Sequence, residues 1–325
     1  MSGGCRQKTS AADQGECVLV IRLGALGDFV LSTGPFAAIR RHHAGAHITL
    51  LTTATFADFA RVSPFFDEVW IDTRAPLWQI GGWLGLRKRL HGAGFSRIYD
   101  LQTSDRSGFY YRLLGPGRRP QWSGIVRGCS HPHRDPERDN LHTIERQIGQ
   151  LADAGIADVP PPDLSWVTGG IGRFGLDGNY ALLVPGGAAH RLAKRWPASC
   201  YGALARRLAG QGVAPVVIGG PGEAELGAEI AGIGEGMHDL TGQTSFAEIV
   251  ALARGASLAV GNDTGPMHLI ASTGCVSVVL FSGASDPALT APRAPEGADE
   301  VVVLRRDDLG ALGVDEVERA AITLL

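Results

Sequence analysis

The chain has 325 residues, 44% of them apolar, and its 30 basic and 33 acidic residues give a formal charge of −3. This length predicts two domains of about 150 residues each, and the charge balance argues against a nucleic-acid-binding protein, which normally presents a strongly basic face. No stretch reaches the roughly 18 consecutive apolar residues that a membrane span needs. Five scattered cysteines without a CxxC pair are typical of a reducing compartment. We therefore expect a soluble, cytoplasmic protein, with attachment to a membrane surface left open.

The first part of the chain alternates strands with helices. Residues 1–16 are small and polar, and we expect a disordered tail there. The β-branched run CVLVIR predicts a buried strand, which enters the turn LGALGD and a helix from about Phe29 to His42. This turn is not a GxGxxG sequence, so a dinucleotide site is not expected. Asp28 is either a first-turn acid that stabilises the helix dipole or a carboxylate that faces the crevice.

Further strand–helix pairs follow as far as residue 154. The strand RIYDLQ ends at Gln102, and Ser104 and Arg106 follow it. These polar residues therefore lie at the carboxyl end of the strand, where parallel sheets bind their ligands. A helix over 77–91 carries three consecutive basic residues, which we interpret as a solvated face. Residues 115–140 are rich in Gly, Pro, Arg and His. We expect a mobile loop there rather than a metal site, because prolines interrupt the spacing of its histidines.

Three consecutive prolines in PPPDLSW (160–166) predict a linker, after which the strand–helix alternation restarts. We therefore expect a first Rossmann-like domain over 17–165 and a second over 166–312. The final helix, over 313–325, is expected to pack back on the first domain. The segments YALLVPGG and APVVIGGPGEAE are predicted strands that end in glycine-rich turns, and Glu223 and Glu225 open the helix after the second turn.

The most informative motif is ASLAVGNDTGPMHLIASTGCVSVVLF (256–281). An apolar strand meets the turn GNDTG, a helix begins at Pro266 with Thr264 as its N-cap, and a second apolar strand follows, as in a parallel sheet. The unpaired N–H groups of the first helical turn favour a phosphate, and Asp263 beside them would suit polyol hydroxyls. The alternative that the motif alone leaves open is an ordinary capped helix with an Asx turn.

Four segments, in this order along the chain, resemble glycosyltransferase family 9, the ADP-heptose:lipopolysaccharide heptosyltransferases. They are IRLGALGDFVLSTGP, PGGAAHRLAKRWP, DLTGQTSFAEIVALARGASLAVGNDTGPMH and FSGASDP. The resemblance implies an α/β protein of GT-B fold, with two Rossmann-like domains facing across a cleft. It also implies transfer of heptose from ADP-heptose to the lipid A–Kdo core of lipopolysaccharide, with inversion and with no metal or other cofactor.

The same resemblance implies roles for individual residues. Asp28 corresponds to the acidic residue proposed as general base, and Lys194 to the lysine that binds the donor phosphates. Asp263 corresponds to the aspartate on the sugar hydroxyls, and Thr264 with Gly265 to the pair on the pyrophosphate.

The remaining correspondences are weaker. Glu223 resembles the acid on the ribose, with Glu225 as the alternative, and His268 matches a histidine that is common in the motif. On the acceptor side we expect four residues: Gly27, Gln102, Ser104 and Arg106.

The partners implied are a nucleotide sugar, an anionic glycolipid acceptor and the cytoplasmic face of the inner membrane, and no nucleic acid. Three other interpretations remain: a family 9 transferase that uses another nucleotide sugar, an inactive sugar-nucleotide-binding protein of the same fold, and a nucleotide-sugar epimerase.

Overall fold

The computed structural model describes residues 15–76, 78–117, 119–176, 178–187, 191–234, 236–298 and 301–323. Residues 1–14 of the expected tail, and 188–190 of the PGGAAHRLAKRWP segment, lie outside the described residues. The chain divides into two compact units. The first comprises the residues up to Ala25 together with Ser32–Pro160, and the second comprises Leu26–Leu31 together with the residues from Pro161 onward.

The first unit is built on a parallel sheet. Its described strands are β1 (Cys17–Ile21), β2 (His47–Thr52), β3 (Glu68–Ile71), β4 (Arg97–Asp100), β5 (Gln121–Gly124) and β6 (His131–Pro132). Their order is β3-β2-β1-β4-β5-β6, and every neighbouring pair is parallel. All five residues of β1 are buried, because helices cover both faces of a parallel sheet.

The helices of the first unit alternate with these strands. They are α2 (Thr33–His42), α3 (Ala54–Arg61), α4 (Ile80–Gly92), α5 (Asp105–Leu113) and α6 (Thr143–Asp153), with α1 (Leu26–Leu31) preceding them in sequence but belonging to the second unit. The sequence predicted one helix from about Phe29 to His42. In the structure it is interrupted at Ser32, and the two pieces belong to different units.

The second unit repeats this architecture. Its described strands are β7 (Tyr180–Val184), β8 (Ala214–Val217), β9 (His238–Asp239), β10 (Leu258–Asn262), β11 (Ser277–Phe281) and β12 (Val301–Arg305). Their order is β12-β11-β10-β7-β8-β9, again with only parallel pairs. Its later helices are α7 (Ala198–Gly210), α8 (Ala224–Ile233), α9 (Phe246–Gly255), α10 (Gly265–Ala271), α11 (Pro287–Thr290) and α12 (Val314–Ile322).

The sequence led us to expect that the last helix packs on the first unit. In the structure this helix belongs to the second unit. Val317 and Ala321 of α12 are fully buried in the core of the second unit, where α12 packs on α7 and β11. An ion pair of 2.6 Å between Arg306 and Glu316 joins this helix to the segment after β12. The apolar stripe of the helix is therefore satisfied within its own unit.

We had expected residues 115–140 to form a loop, but they also contain regular structure. They contain β5 and β6, which extend the first sheet beyond β4. Trp122 in β5 is completely buried and packs edge-on against Tyr111, with ring centroids 5.2 Å apart. Burial of this one aromatic side chain explains why a glycine- and arginine-rich segment forms a strand. No helix in the described part of the chain is both long enough and apolar enough to cross a membrane.

Candidate active site

The GNDTG turn lies at the carboxyl end of β10, the central strand that pairs with both β7 and β11. Helix α10 begins at Gly265, one residue earlier than predicted, and Thr264 takes the N-cap position in an extended conformation. The Thr264 side chain makes no capping hydrogen bond. The Thr264 hydroxyl is therefore not used as a cap and can serve a ligand. Pro266 has no N–H and the Met267 N–H donates to the Thr264 carbonyl oxygen at 3.1 Å, so the backbone donor that the turn can offer is the Gly265 N–H.

Two predicted donor-binding residues contact each other directly. Lys194 Nζ lies 2.6 Å from Asp263 Oδ2, and the two side chains are only 11% and 8% exposed. A charge pair removed from water to this extent must compensate its own desolvation, so the loss of either partner leaves the other charge buried and unpaired. The structure thus places the predicted phosphate-binding cation beside the predicted sugar-binding carboxylate.

Asn262 makes hydrogen bonds that hold the segments around this pair together. The sequence analysis did not single out this residue. Its Oδ1 accepts hydrogen bonds from the Trp196 backbone N–H at 3.0 Å and from the Tyr201 hydroxyl at 3.1 Å. Its Nδ2 donates to the carbonyl oxygens of Pro185, at 2.7 Å, and Gly186, at 3.2 Å. Because Asn262 is completely buried, it fixes the glycine-rich turn after β7 and the KRWP segment to the end of β10.

Glu223 holds two glycine-rich turns together. Its Oε1 accepts from the Gly187 N–H at 2.7 Å and its Oε2 from the Gly220 N–H at 2.8 Å. A methyl group on Gly186 would overlap this carboxylate, which explains the glycine at that position. Glu225, the alternative ribose-binding residue, is exposed on α8. Glu223 is therefore the acid at the turns, and each of its oxygens keeps a lone pair for a further donor.

A second cation that the sequence analysis missed lies at the same turn. Arg195 donates from Nη2 to the Gly187 carbonyl oxygen at 2.7 Å. Its Nε atom is buried and has no hydrogen-bond partner among the described residues. Its place directly after Lys194 was the available signal, but sequence alone did not distinguish it from a solvated arginine.

Helix α1, which carries Asp28, packs closely against α10 within the second unit. Glycines permit this approach. A Cβ on Gly27 would lie 2.6 Å from His268 Cδ2, and a Cβ on Gly265 would lie 2.6 Å from Leu26 Cβ. His268 is 5% exposed, so its ring lies in the contact between the two helices. The structure thus brings the helix of the predicted base to the helix of the predicted donor site.

We expect Gly27→Ala to destabilise the protein by about 1–3 kcal/mol, because the buried His268 ring has little room to move away from the new methyl group. Gly85→Ala is the matched control, since Gly85 also lies in a helix but a methyl group added there would meet no atom within 4 Å. The control should gain up to about 1 kcal/mol from helix propensity. Urea unfolding of both variants measures the difference, and equal stabilities would contradict the close contact.

The remaining predicted acceptor-side residues lie in the first unit, and their side chains already make hydrogen bonds within the protein. Gln102 Oε1 accepts from the Leu23 N–H at 2.7 Å, which fixes the turn after β1. Ser104 is the N-cap of α5 and forms a capping box with Ser107. These two side chains therefore have structural roles at the carboxyl ends of β1 and β4.

Arg106 forms a forked ion pair with Asp72, with Nε at 3.0 Å from Oδ2 and Nη2 at 3.1 Å from Oδ1. Tyr110 also donates to Asp72, and the guanidinium carbon of Arg106 lies 4.9 Å from the centroid of the Trp83 ring. Burial tends to raise the pKa of Asp72, but the hydrogen bonds from Arg106 and Tyr110 outweigh it and the pKa is lowered. The predicted acceptor arginine thus has a carboxylate partner that the sequence did not reveal.

Asp100, at the end of β4, is a buried acid that the sequence analysis also missed. It is 1% exposed and accepts a hydrogen bond of 3.0 Å from the Thr103 N–H. Burial raises its pKa to about 6, against the partial compensation of its hydrogen bonds and of Arg22. Because the folded-state pKa is higher than the unfolded one, this group costs stability progressively as the pH rises through the interval from 3.8 to about 6.

We therefore expect Asp100→Asn to gain stability relative to the unsubstituted protein as the pH rises, by about 2 kcal/mol between roughly pH 4.5 and 7.5. Asparagine keeps an acceptor for Thr103 but never ionises. Chemical denaturation of both proteins at the two pH values checks the change. If the difference in unfolding free energy between the two proteins were the same at both pH values, ionisation of Asp100 would carry no burial penalty.

Among the described residues, no group of three or more His, Cys, Asp or Glu side chains is arranged to hold a metal ion. The histidines of the 115–140 segment instead have separate partners. His133 Nδ1 lies 2.9 Å from Asp153 Oδ2, and His131 Nδ1 lies 3.0 Å from Ser130 Oγ.

Comparison of the sequence with known proteins identifies a family. The sequence model of glycosyltransferase family 9 (heptosyltransferase) matches residues 83–306. Lipopolysaccharide heptosyltransferase 2 of Escherichia coli K12 is 27% identical over 301 residues, which cover 85% of each chain.

Solved structures show the same fold. The structure of the E. coli ADP-heptose lipopolysaccharide heptosyltransferase II has a TM-score of 0.77 at 23% identity, over 94% of this chain and 98% of that one. A family 9 glycosyltransferase of Veillonella parvula has a TM-score of 0.80 at 21% identity, over 95% and 97% of the two chains. The predicted α/β architecture of GT-B type is thereby confirmed.

Proposed function

The chain belongs to glycosyltransferase family 9 (heptosyltransferase), and from this premise we propose that it transfers heptose from ADP-heptose to the inner-core region of lipopolysaccharide. The proposal includes inversion at the anomeric carbon, independence of a metal ion, and action in the cytoplasm. The observation that carries it is the Lys194–Asp263 pair at the first turn of α10, the helix on which the Asp28 helix packs.

The donor would bind at the turns of the second unit. Lys194 would exchange part of its contact with Asp263 for the diphosphate, and Thr264 and Gly265 would contribute the open first turn of α10. Asp263, released from part of its ion pair, would accept hydrogen bonds from sugar hydroxyls. Glu223 would take the ribose hydroxyls with the lone pairs that its two backbone contacts leave available.

The chemical step needs a base and a stabilised leaving group. In our proposal an acceptor hydroxyl gives its proton to the Asp28 carboxylate while its oxygen forms the new bond to the anomeric carbon. The bond from that carbon to the diphosphate oxygen breaks on the opposite face, which inverts the configuration. Lys194 and Arg195 would balance the negative charge that develops on the departing diphosphate, together with the Gly265 N–H at the start of α10.

The acceptor would be an anionic glycolipid core. Of the four residues predicted for the acceptor side, Gly27 lies on α1 in the second unit and Gln102, Ser104 and Arg106 lie in the first unit; their contacts refine the proposal. Gln102 and Ser104 would shape the turns, whereas Arg106, stacked on Trp83, would keep N–H groups available beyond its pair with Asp72. The names of the E. coli relatives support the lipopolysaccharide acceptor.

A titration calorimetry screen of ADP-heptose against UDP- and GDP-sugars, followed by a turnover assay with deacylated core oligosaccharide, tests the proposal. Selective ADP-heptose binding with turnover is the expected result. Preference for another nucleotide sugar would indicate a family member with a different donor. Binding without turnover would indicate an inactive binding protein, and conversion of the donor without an acceptor would indicate an epimerase.

A further inference from the structure

A cluster of exposed apolar side chains lies at the start of α4 in the first unit. Trp78, just before the helix, is 83% exposed, Ile80 is 67% exposed and Leu84 is 58% exposed. They are three of the eight large apolar side chains that are exposed in the described part of the chain, and all three fall within the span 78–84. A concentration of this kind marks an interaction surface more often than chance exposure.

The fold itself does not require this cluster. The opposite face of α4 supplies the core contacts: Trp83 and Leu90 are 8% and 3% exposed, and the Trp83 ring packs edge-on against Phe109 at 4.9 Å. The helix therefore has its apolar partner already. Its outer face would normally be polar, and here the first turns of that face are not.

Basic residues continue the same face toward the end of the helix. Ile80, Leu84 and Lys88 follow the four-residue spacing that places side chains on one stripe, and Arg87 lies beside Lys88. The sequence from Thr73 to Tyr99 contains five basic residues and no acidic one. Four of the five make contacts within the fold. Arg74 and Arg97 donate to the Leu23 carbonyl oxygen at 3.0 Å and to Gln121 Oε1 at 2.9 Å. Arg87 donates to the Leu113 carbonyl oxygen at 3.0 Å, and Arg89 stacks on the Trp70 ring at 4.2 Å.

We propose that this face, which we call the α4 surface (Trp78, Ile80, Leu84, Arg87 and Lys88), docks on an anionic lipid bilayer. Apolar side chains at one end and cations at the other match the interfacial zone of a membrane, where rings and aliphatic chains enter between headgroups and cations meet phosphates. Each cation near such a surface contributes to binding. The proposal goes beyond sugar transfer and does not depend on the identity of the donor.

Charge distinguishes lipid from a second copy of the chain as the occupant. In a symmetric dimer through the α4 surface, a two-fold axis along the helix would bring Arg87 and Lys88 of two molecules together. A two-fold axis perpendicular to the helix would place these cations on the apolar end of the other copy, and in neither arrangement does the 73–99 segment supply an acid to pair with them. An anionic bilayer meets the same cations with opposite charge. The charge of the α4 surface therefore favours an anionic bilayer over a second copy of the chain.

Flotation with vesicles of phosphatidylcholine alone and of phosphatidylcholine with phosphatidylglycerol tests the proposal on the intact protein without donor. We expect binding to the phosphatidylglycerol vesicles, little to the neutral ones, and loss of binding in high salt. The variant Trp78→Ser/Leu84→Ser removes apolar contact and Lys88→Glu reverses one charge. Each should weaken vesicle binding about fivefold or more.

Two controls match these changes. Val62→Ser removes an apolar side chain that is 65% exposed but lies outside the α4 surface. Arg206→Glu, at an exposed position of α7, changes the net charge as Lys88→Glu does. Both should bind vesicles like the unsubstituted protein, and all variants should keep turnover on a deacylated, water-soluble acceptor.

Three results would overturn the proposal: no binding of the unsubstituted protein to anionic vesicles, equal loss in the variants and their controls, or a dimer in sedimentation equilibrium that Trp78→Ser abolishes. A failure of the sugar-transfer proposal would instead appear as absent turnover with vesicle binding intact. The two proposals therefore fail separately.

Discussion

Asp28→Asn lowers kcat by roughly 10²–10⁴-fold on our account, because the amide cannot accept the proton of the acceptor hydroxyl. The substitution keeps the size of the side chain and its place on α1, so the packing of that helix on α10 should be retained. We expect donor affinity within about twofold of the original, since a base for the acceptor makes no contribution to ground-state donor binding. Steady-state kinetics and calorimetric titration with ADP-heptose measure the two quantities.

Asp105→Asn is the matched control for this change. Asp105 is also an acid in the first turn of a helix, α5, but belongs to the first unit and is exposed. If Asp28 served only the helix dipole, both variants would lose about 0.3–1 kcal/mol of stability and no activity. Undiminished turnover in Asp28→Asn would remove the residue from the chemical step.

Lys194→Ala lowers kcat/KM by roughly 10²–10³-fold in our second prediction, because the site loses the cation that compensates the leaving diphosphate. It should also weaken ADP binding. A second effect is expected on stability: Asp263, at 8% exposure, loses the partner 2.6 Å away, which costs about 3–5 kcal/mol for a buried pair. Kinetics and denaturant unfolding on the same preparation separate binding from folding.

The double variant Lys194→Ala/Asp263→Asn distinguishes a functional cation from a structural one. Removing both charges should recover most of the lost stability, since no buried charge is left unpaired, but it should recover no activity. Lys88→Ala controls for the loss of a lysine elsewhere, on α4. Recovery of transfer in the double variant would show that Lys194 acts only through the fold.

Much of this molecule could be predicted from its sequence. Continuous apolar strands such as CVLVI and YALLV are explicit signals for a buried parallel sheet, and both are buried strands in the structure. That ligands bind at the glycine-rich turns after these strands stays a prediction. The GNDTGPMH motif predicted the start of a helix within one residue, and Thr264 takes the N-cap position without a capping hydrogen bond from its side chain. The ordered set of motifs predicted the family, which the match over residues 83–306 confirms.

What the sequence could not supply is the identity of partners that are distant along the chain. Arg106 is paired with Asp72, 34 residues away, and Asn262 bonds segments more than 60 residues away; no local pattern reports such contacts. The burial of Trp122, which makes residues 121–124 a strand, likewise depends on the surrounding helices and not on local propensity. The prediction for the final helix was wrong because an amphipathic pattern indicates that one face of the helix is buried, but does not indicate which unit it packs on.

The stereochemistry of the product tests the central claim most directly. ADP-heptose and a deacylated lipid A–Kdo core oligosaccharide are incubated with the protein in the presence of a chelator, and the new glycosidic linkage is examined by NMR. We predict a heptosylated product whose anomeric configuration is opposite to that of the donor, formed at an undiminished rate. Retained configuration, or no product with this donor and acceptor, would contradict the account.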